Sequence, residues 1–206
     1  MPVNSVLTTA RNEVGATEYP PGSNKTKYGA AYGWDGVPWC VMFLWWCFRE
    51  GGESAAFYGG NKTASCSYLL EYYQARNQLC QPQHGAIAFY NFQGTKTPEH
   101  CGIIIGNADN GLYWSIEGNT STGDGSQDNG GCVALKLRSP DSMVACAMPK
   151  YSSDYAGHWA KPAIEWAVRT GIMVGYPDGT FLPDMPVTRA ELATALERMA
   201  KYGNGE

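Results

Sequence analysis

A chain of 206 residues with 44% hydrophobic and 17% charged side chains has room for one medium domain and a small one, and can bury a core rather than stay disordered. Its formal net charge of -4 gives no electrostatic reason for nucleic acid to be the partner. No stretch of about 18 apolar residues runs uncharged, so no membrane span is expected, and Met1-Pro2-Val3-Asn4-Ser5 lacks the basic-then-apolar opening of a signal peptide.

Val3, Val6, Leu7, Ala10 and Val14 recur at helical spacing and predict an amphipathic helix over 3–15, closed by Gly15. The turn-rich Tyr19-Pro20-Pro21-Gly22-Ser23-Asn24 follows. Residues 40–50 read as a second helix, apolar nearly all round and stopped by Gly51-Gly52, and a third helix is expected over 65–78. The texture then changes. Short β-prone runs at 86–90, 102–106, 112–116 and 133–137 alternate with Gly, Asn and Asp turns, so helices followed by antiparallel strands predict an α+β domain over 1–148. Residues 139–153 read as a strand remnant and a linker at 149–153.

A distinct helix–loop–helix unit is expected over 154–202. Ala163, Ile164, Ala167 and Val168 give one helical face, closed by Gly171, and Tyr176-Pro177-Asp178-Gly179-Thr180 is a tight turn. Thr188 and Glu191 are spaced as a capping box, with Val187 and Leu192 at the staple positions, so a helix should start at Thr188. About 50 residues is too few for a generous core.

The seven cysteines (40, 47, 66, 80, 101, 132 and 146) are an odd number, so at least one is unpaired or pairs between chains. No CxxC pair suggests a structural zinc site. Synthesis in a reducing cytosol would leave most thiols reduced, and all but Cys40 read as small buried hydrophobes. Thirteen Tyr and seven Trp suit either a carbohydrate-binding surface or an aromatic core.

Cys40 should open the second helix, where the helix N-terminus favours a thiolate. His100 should head the 101–106 strand, with Glu117 and Asn119 at the end of the next one. Adjacent antiparallel strands could then bring a nucleophile, a base and an orienting group together. His84 is the rival base, but its place before Gly85-Ala86-Ile87 suits capping a turn.

Tyr19-Pro20-Pro21-Gly22-Ser23-Asn24, Pro38-Trp39-Cys40, His100-Cys101-Gly102-Ile103 and Glu117-Gly118-Asn119 together resemble the CHAP domain, the cysteine, histidine-dependent amidohydrolases/peptidases. The resemblance covers residues 1 to about 148 and implies a papain-like fold that hydrolyses peptidoglycan amide bonds. It assigns Cys40 as nucleophile, His100 as base and Glu117 as orienter, with Asn119 supporting His100 or the substrate. Gly85-Ala86 stands where the family often has Gly-Asp. Some relatives bind calcium through a run of Asp before the cysteine. Here Lys27-Tyr28-Gly29-Ala30-Ala31-Tyr32-Gly33-Trp34-Asp35 carries one carboxylate against the six to eight oxygens calcium takes, so neither metal nor cofactor is expected.

Gly157-His158-Trp159-Ala160-Lys161-Pro162-Ala163-Ile164, Gly175-Tyr176-Pro177-Asp178-Gly179-Thr180-Phe181 and Val187-Thr188-Arg189-Ala190-Glu191 resemble an S-layer homology (SLH) module. That likeness implies attachment to an anionic secondary cell-wall polymer. Arg189 at a helix N-terminus is the first ligand candidate, followed by Asp154, Trp159 and Gly179; Glu191 is assigned to capping. Such modules usually occur in threes and one copy is found, so the expectation is either weak binding by a single copy or association of three chains as a homotrimer. The combined expectation is a phage endolysin, made without a signal peptide in the host cytoplasm and released through a holin-type pore. N-acetylmuramoyl-L-alanine amidase is the expected activity. The alternatives are a stem-peptide endopeptidase, a secreted autolysin, or a wall-binding protein with a degenerate catalytic domain.

Overall fold

The computed structural model of the protein describes residues 2–123, 125–176 and 180–204. They form two compact units that divide between Tyr151 and Ser152.

In the first unit, α1 (Pro2–Asn12) buries Val3, Val6, Leu7 and Ala10, the stripe its spacing predicts. The helix stops short of the expected Gly15, and Val14 lies beyond it, 45% exposed. There the chain turns to meet the sheet: Gly15 N–H donates to Val133 O at 2.9 Å, and Thr17 bridges to Cys132. After the short α2 (Lys27–Tyr32) comes α3 (Cys40–Glu50). Eight of its residues are buried, from Cys40 to Phe48 with only Trp46 less covered, so it is the central helix and packs on α1, α2 and the sheet. α4 (Cys66–Gln74) is shorter than expected because the chain leaves the helix at Ala75 and turns toward the sheet.

Six antiparallel strands follow: β1 (Leu79–Cys80), β2 (Ile87–Tyr90), β3 (His100–Asn107), β4 (Tyr113–Thr120), β5 (Cys132–Arg138) and β6 (Met143–Ala147). Their order across the sheet is β1-β6-β2-β3-β4-β5. The stretch read as a strand remnant is therefore an internal strand, hydrogen-bonded on both sides by β1 and β2. Period-two alternation divides β2 and β3 between two cores. Ile87, Phe89, Cys101 and Ile103 face the helices, while Ala88, Tyr90 and Ile104 join Ala86 and Cys146 on the opposite side. Tyr151, in the stretch expected as a linker, is part of this unit: its ring stacks on Phe48 and its hydroxyl donates to Gly85 O at 2.7 Å.

Two glycines allow the close approaches the sheet needs. A Cβ on Gly102 would lie 2.5 Å from both Glu117 Cγ and Ser115 Oγ. A Cβ on Gly118 would lie 2.6–2.7 Å from the Phe43 and Trp39 rings, so Gly118 lets α3 settle on β4. Just beyond, the β4–β5 register shifts between Glu117 and Thr120, and Asn119 takes a left-handed φ of 60°, which Asn tolerates better than most residues.

The second unit contains α5 (Lys161–Arg169) and α6 (Arg189–Asn204). Ile164, Ala167 and Ile172 are buried, but Ala163 and Val168, expected on the same covered face, are exposed. A unit this small covers only a narrow stripe of α5. The α6 start is a capping box: Glu191 N–H donates to Thr188 Oγ1 at 3.2 Å, and Thr188 N–H donates to Glu191 Oε2 at 2.8 Å.

Candidate active site

Cys40 is the first residue of α3 and 6% exposed. Its sulfur does not stand alone: Cys66, first residue of α4, places its Sγ 3.8 Å away, and Cys101 comes from β3. Hydrogen bonds from the Cys101 and Cys66 thiols hold the Cys40 thiol well below the ordinary cysteine range, and His100 adds to this against the opposing effect of burial. Burial and the bonds they make push the Cys101 thiol up. Cys66 also rises, because its bond to Cys40 and its burial outweigh the bond from Cys101. The cluster thus has one ionisable nucleophile and two neutral donors. Cys66 and Cys101 are buried as expected, but they are hydrogen-bonding partners of Cys40 as well as packing groups. Nothing in a single sequence signals that residues 26 and 61 positions away will share a sulfur cluster with it.

His100 opens β3 with no solvent exposure. Its Nε2 lies 3.1 Å from Glu117 Oε2, which leaves Nδ1 as the nitrogen able to exchange a proton with Cys40. Burial pushes the imidazole pKa down, but the Cys40 sulfur and the Glu117 carboxylate prevail and raise it to about 9. Glu117 is itself fully buried, which would favour its neutral form. Arg138 reverses that: its Nε donates to Oε1 at 2.8 Å and its Nη2 to Oε2. Together with His100 it holds the Glu117 carboxyl below the usual range.

Arg138 is the functional residue that sequence reasoning missed. It ends β5 opposite Tyr113, and only a long side chain lets it reach Glu117, which pairs with Ala134. Its guanidinium also lies over the Phe92 ring at 4.7 Å and the Tyr90 ring at 5.4 Å. A terminal strand arginine gives no sequence signal for that role.

Of the two roles expected of Asn119, support of His100 is not the one its hydrogen bonds serve. Its carboxamide oxygen accepts from Trp39 N–H at 3.0 Å, and its nitrogen donates to Asn24 Oδ1 at 3.0 Å and Gly130 O at 2.9 Å. It positions the peptide before Cys40 and ties β4 to two loops, while the histidine ring is oriented by Glu117. Glu18, also not singled out by the sequence, shapes one of those loops by accepting from Gly22 and Asn24 N–H groups. His84 is held elsewhere, its Nδ1 3.0 Å from Ile105 O on β3.

In the second unit Arg189 is exposed at the start of α6, and Trp159 is 88% exposed. Asp154 is occupied in holding the fold: its carboxylate accepts from the Phe181 N–H at 3.1 Å and the Leu182 N–H at 2.7 Å. Gly179 lies outside the described residues.

A helix-initial cysteine beside a buried histidine that a carboxylate orients is the arrangement of a cysteine- and histidine-dependent amidohydrolase or peptidase. Residues 16–119 match the model of the CHAP domain, and the chain belongs to that family. Residues 153–193 match the S-layer homology domain. The chain is 45% identical over 63 residues to Cell surface glycoprotein 1 of Acetivibrio thermocellus, covering 31% of this chain and 3% of that protein. It is 46% identical over 52 residues to the Cellulosome-anchoring protein of the same organism, covering 23% and 12%. Outer membrane protein SlpA of Deinococcus radiodurans is 41% identical over 69 residues, covering 34% and 6%. The chain thus spans a small fraction of these relatives' length. The crystal structure of Ly7917 aligns with a TM-score of 0.44 at 16% identity, over 71% of this chain and 62% of that one.

Proposed function

We propose that the protein is a peptidoglycan hydrolase that cuts an amide bond through a Cys40 acyl-enzyme, most specifically an N-acetylmuramoyl-L-alanine amidase. The observation that carries the reading is the buried series that runs from Cys40 at the start of α3 through His100 on β3 and Glu117 on β4 to Arg138 on β5. With the thiol pKa lowered and the imidazole raised to about 9, the resting pair is thiolate and imidazolium at neutral pH. The thiolate attacks the amide carbonyl, and His100 protonates the departing amine from Nδ1 while Nε2 stays on Glu117. Neutral His100 then takes a proton from water, which hydrolyses the thioester. Arg138 keeps Glu117 ionised throughout, so the ring neither turns nor loses its countercharge. The backbone at the start of α3 supplies an oxyanion donor in this mechanism.

The SLH unit is proposed to hold the enzyme on an anionic secondary cell-wall polymer. The similarity to a cellulosome-anchoring protein supports an anchoring role, and Arg189 supports a negatively charged ligand, since guanidinium and helix N-terminus both favour an anion there. Delivery from a host cytoplasm through a holin pore, as a phage endolysin, completes the proposal. Digestion of purified peptidoglycan by wild type and Cys40→Ser, with the new termini identified by mass spectrometry, tests it. Free lactyl carboxylates with free L-alanine amines support the amidase, and termini inside the stem make it an endopeptidase. Release of nothing by either protein would remove the enzymatic reading.

A further inference from the structure

The sulfur cluster around Cys40 exceeds what the mechanism requires. A cysteine hydrolase needs one thiolate and one imidazole, yet Cys40, Cys66 and Cys101 are all buried and their sulfurs all lie within 4.8 Å of one another. The three come from separate elements, the first residues of two helices and a central strand, so the convergence is set by the fold and not by local sequence.

From this geometry we infer that the three thiols form a binding site for a soft, thiophilic metal ion, with Zn2+ as the physiological type, and that occupancy holds the enzyme in an inactive state. Thiolate sulfurs bind zinc at about 2.3 Å, so two ligands at the corners of a tetrahedron lie about 3.8 Å apart. The Cys40–Cys66 separation is 3.8 Å. A disulfide would instead require those sulfurs to close to about 2.05 Å. Three soft donors exclude calcium or magnesium, which take oxygen. Ligation exchanges the thiol protons of Cys66 and Cys101 for the metal, with the protons leaving to solvent. It also takes the Cys40 lone pair that would attack substrate. The inhibitory consequence rests on Cys40 being the nucleophile, whereas the site itself does not.

Co2+, a spectroscopic substitute for Zn2+, reads the two parts separately. Co2+ is titrated into the fully reduced full-length protein, with thiolate-to-cobalt charge-transfer absorption followed directly and then reversed by Zn2+. Wild type and the distant-cysteine control Cys132→Ser are expected to give the same one-equivalent band, with intensity appropriate to three thiolates. Cys66→Ala and Cys101→Ala are expected to lose at least tenfold in affinity and part of that intensity. Lytic rate, expressed for each protein relative to its own chelated sample, should fall with Zn2+ in wild type and recover on chelation. It should resist the same Zn2+ in the two Ala variants. Absence of the band in wild type, or a band unchanged in Cys66→Ala and Cys101→Ala, overturns the site. A band that behaves as expected in a protein without lytic activity under any condition leaves the site standing and refutes the enzymatic reading instead.

Discussion

Glu117 has no contact with solvent, so its charge must be met inside the fold, and it is met by both His100 and Arg138. Removing the arginine leaves the buried carboxylate with His100 as its remaining charged partner. Arg138→Ala should therefore cost about 3–5 kcal/mol at neutral pH. Because the folded Glu117 pKa is depressed, the stability it contributes is present above the ordinary carboxylate range and lost as pH falls through the folded value. The gap between wild type and Arg138→Ala in urea unfolding should accordingly narrow in acid, and a gap independent of pH would contradict the pairing. The reacting pair gives a second expectation. Activity needs Cys40 deprotonated and His100 protonated, so the rate should hold across neutral pH, fall in acid as the thiolate gains its proton, and fall again as pH rises through about 9. His100→Gln should lose about 10²–10⁴ in kcat. Cys40, His100 and Glu117 could be read from the sequence because their residue types and order carry chemistry. Arg138 could not, since its role depends on how far a side chain reaches across a register that only the folded sheet defines.

At the scale of elements, the site depends on how closely β3, β4 and α3 approach. Gly102 makes room for the Glu117 side chain, and Gly102→Ala would put a methyl 2.5 Å from Glu117 Cγ. Overpacking of this kind costs about 1–3 kcal/mol, and here it should also misplace Glu117, so kcat should fall by more than the stability loss explains. If kcat is unchanged in the folded variant, β3 does not set the Glu117 position. Asn119→Gly preserves the left-handed backbone but removes the acceptor for Trp39 N–H. It should lower kcat while leaving the alkaline limb of the pH profile in place, because the ring is oriented by Glu117. The α3 boundaries were legible because its apolar run ends at Gly51-Gly52, whereas α1 ends early at Asn12 for a tertiary reason, the turn that carries Gly15 to Val133. The strand at Met143–Ala147 was underrated because its five residues run from half-buried to buried with no polar alternation to identify a strand face.

At the scale of the whole molecule, the catalytic unit runs through Tyr151, whose ring and hydroxyl close its core. A truncation after Ser152 should fold and cleave soluble wall fragments, yet sediment less with intact walls. Truncation after Met148 should lose several degrees in Tm. The second unit leaves Val174, Val187, Leu192, Leu196 and Met199 exposed, much apolar surface for so small a module. We propose that association of three chains covers it; light scattering at high concentration tests this, with about three times the 22.4 kDa chain mass expected and a monomer mass throughout ruling it out. The capping box of this unit was readable from Thr188 and Glu191 alone, but the structural use of Asp154 was not, since its partners at 181–182 are far along the chain. In the intact protein Cys40 should be a thiolate at neutral pH while Cys66 and Cys101 stay protonated. Ultraviolet thiolate titration of full-length wild type against Cys40→Ser tests this most directly. The difference should show one thiolate already formed at neutral pH and titrating well below the ordinary cysteine range; a difference that appears only at alkaline pH would contradict an activated nucleophile at the head of α3.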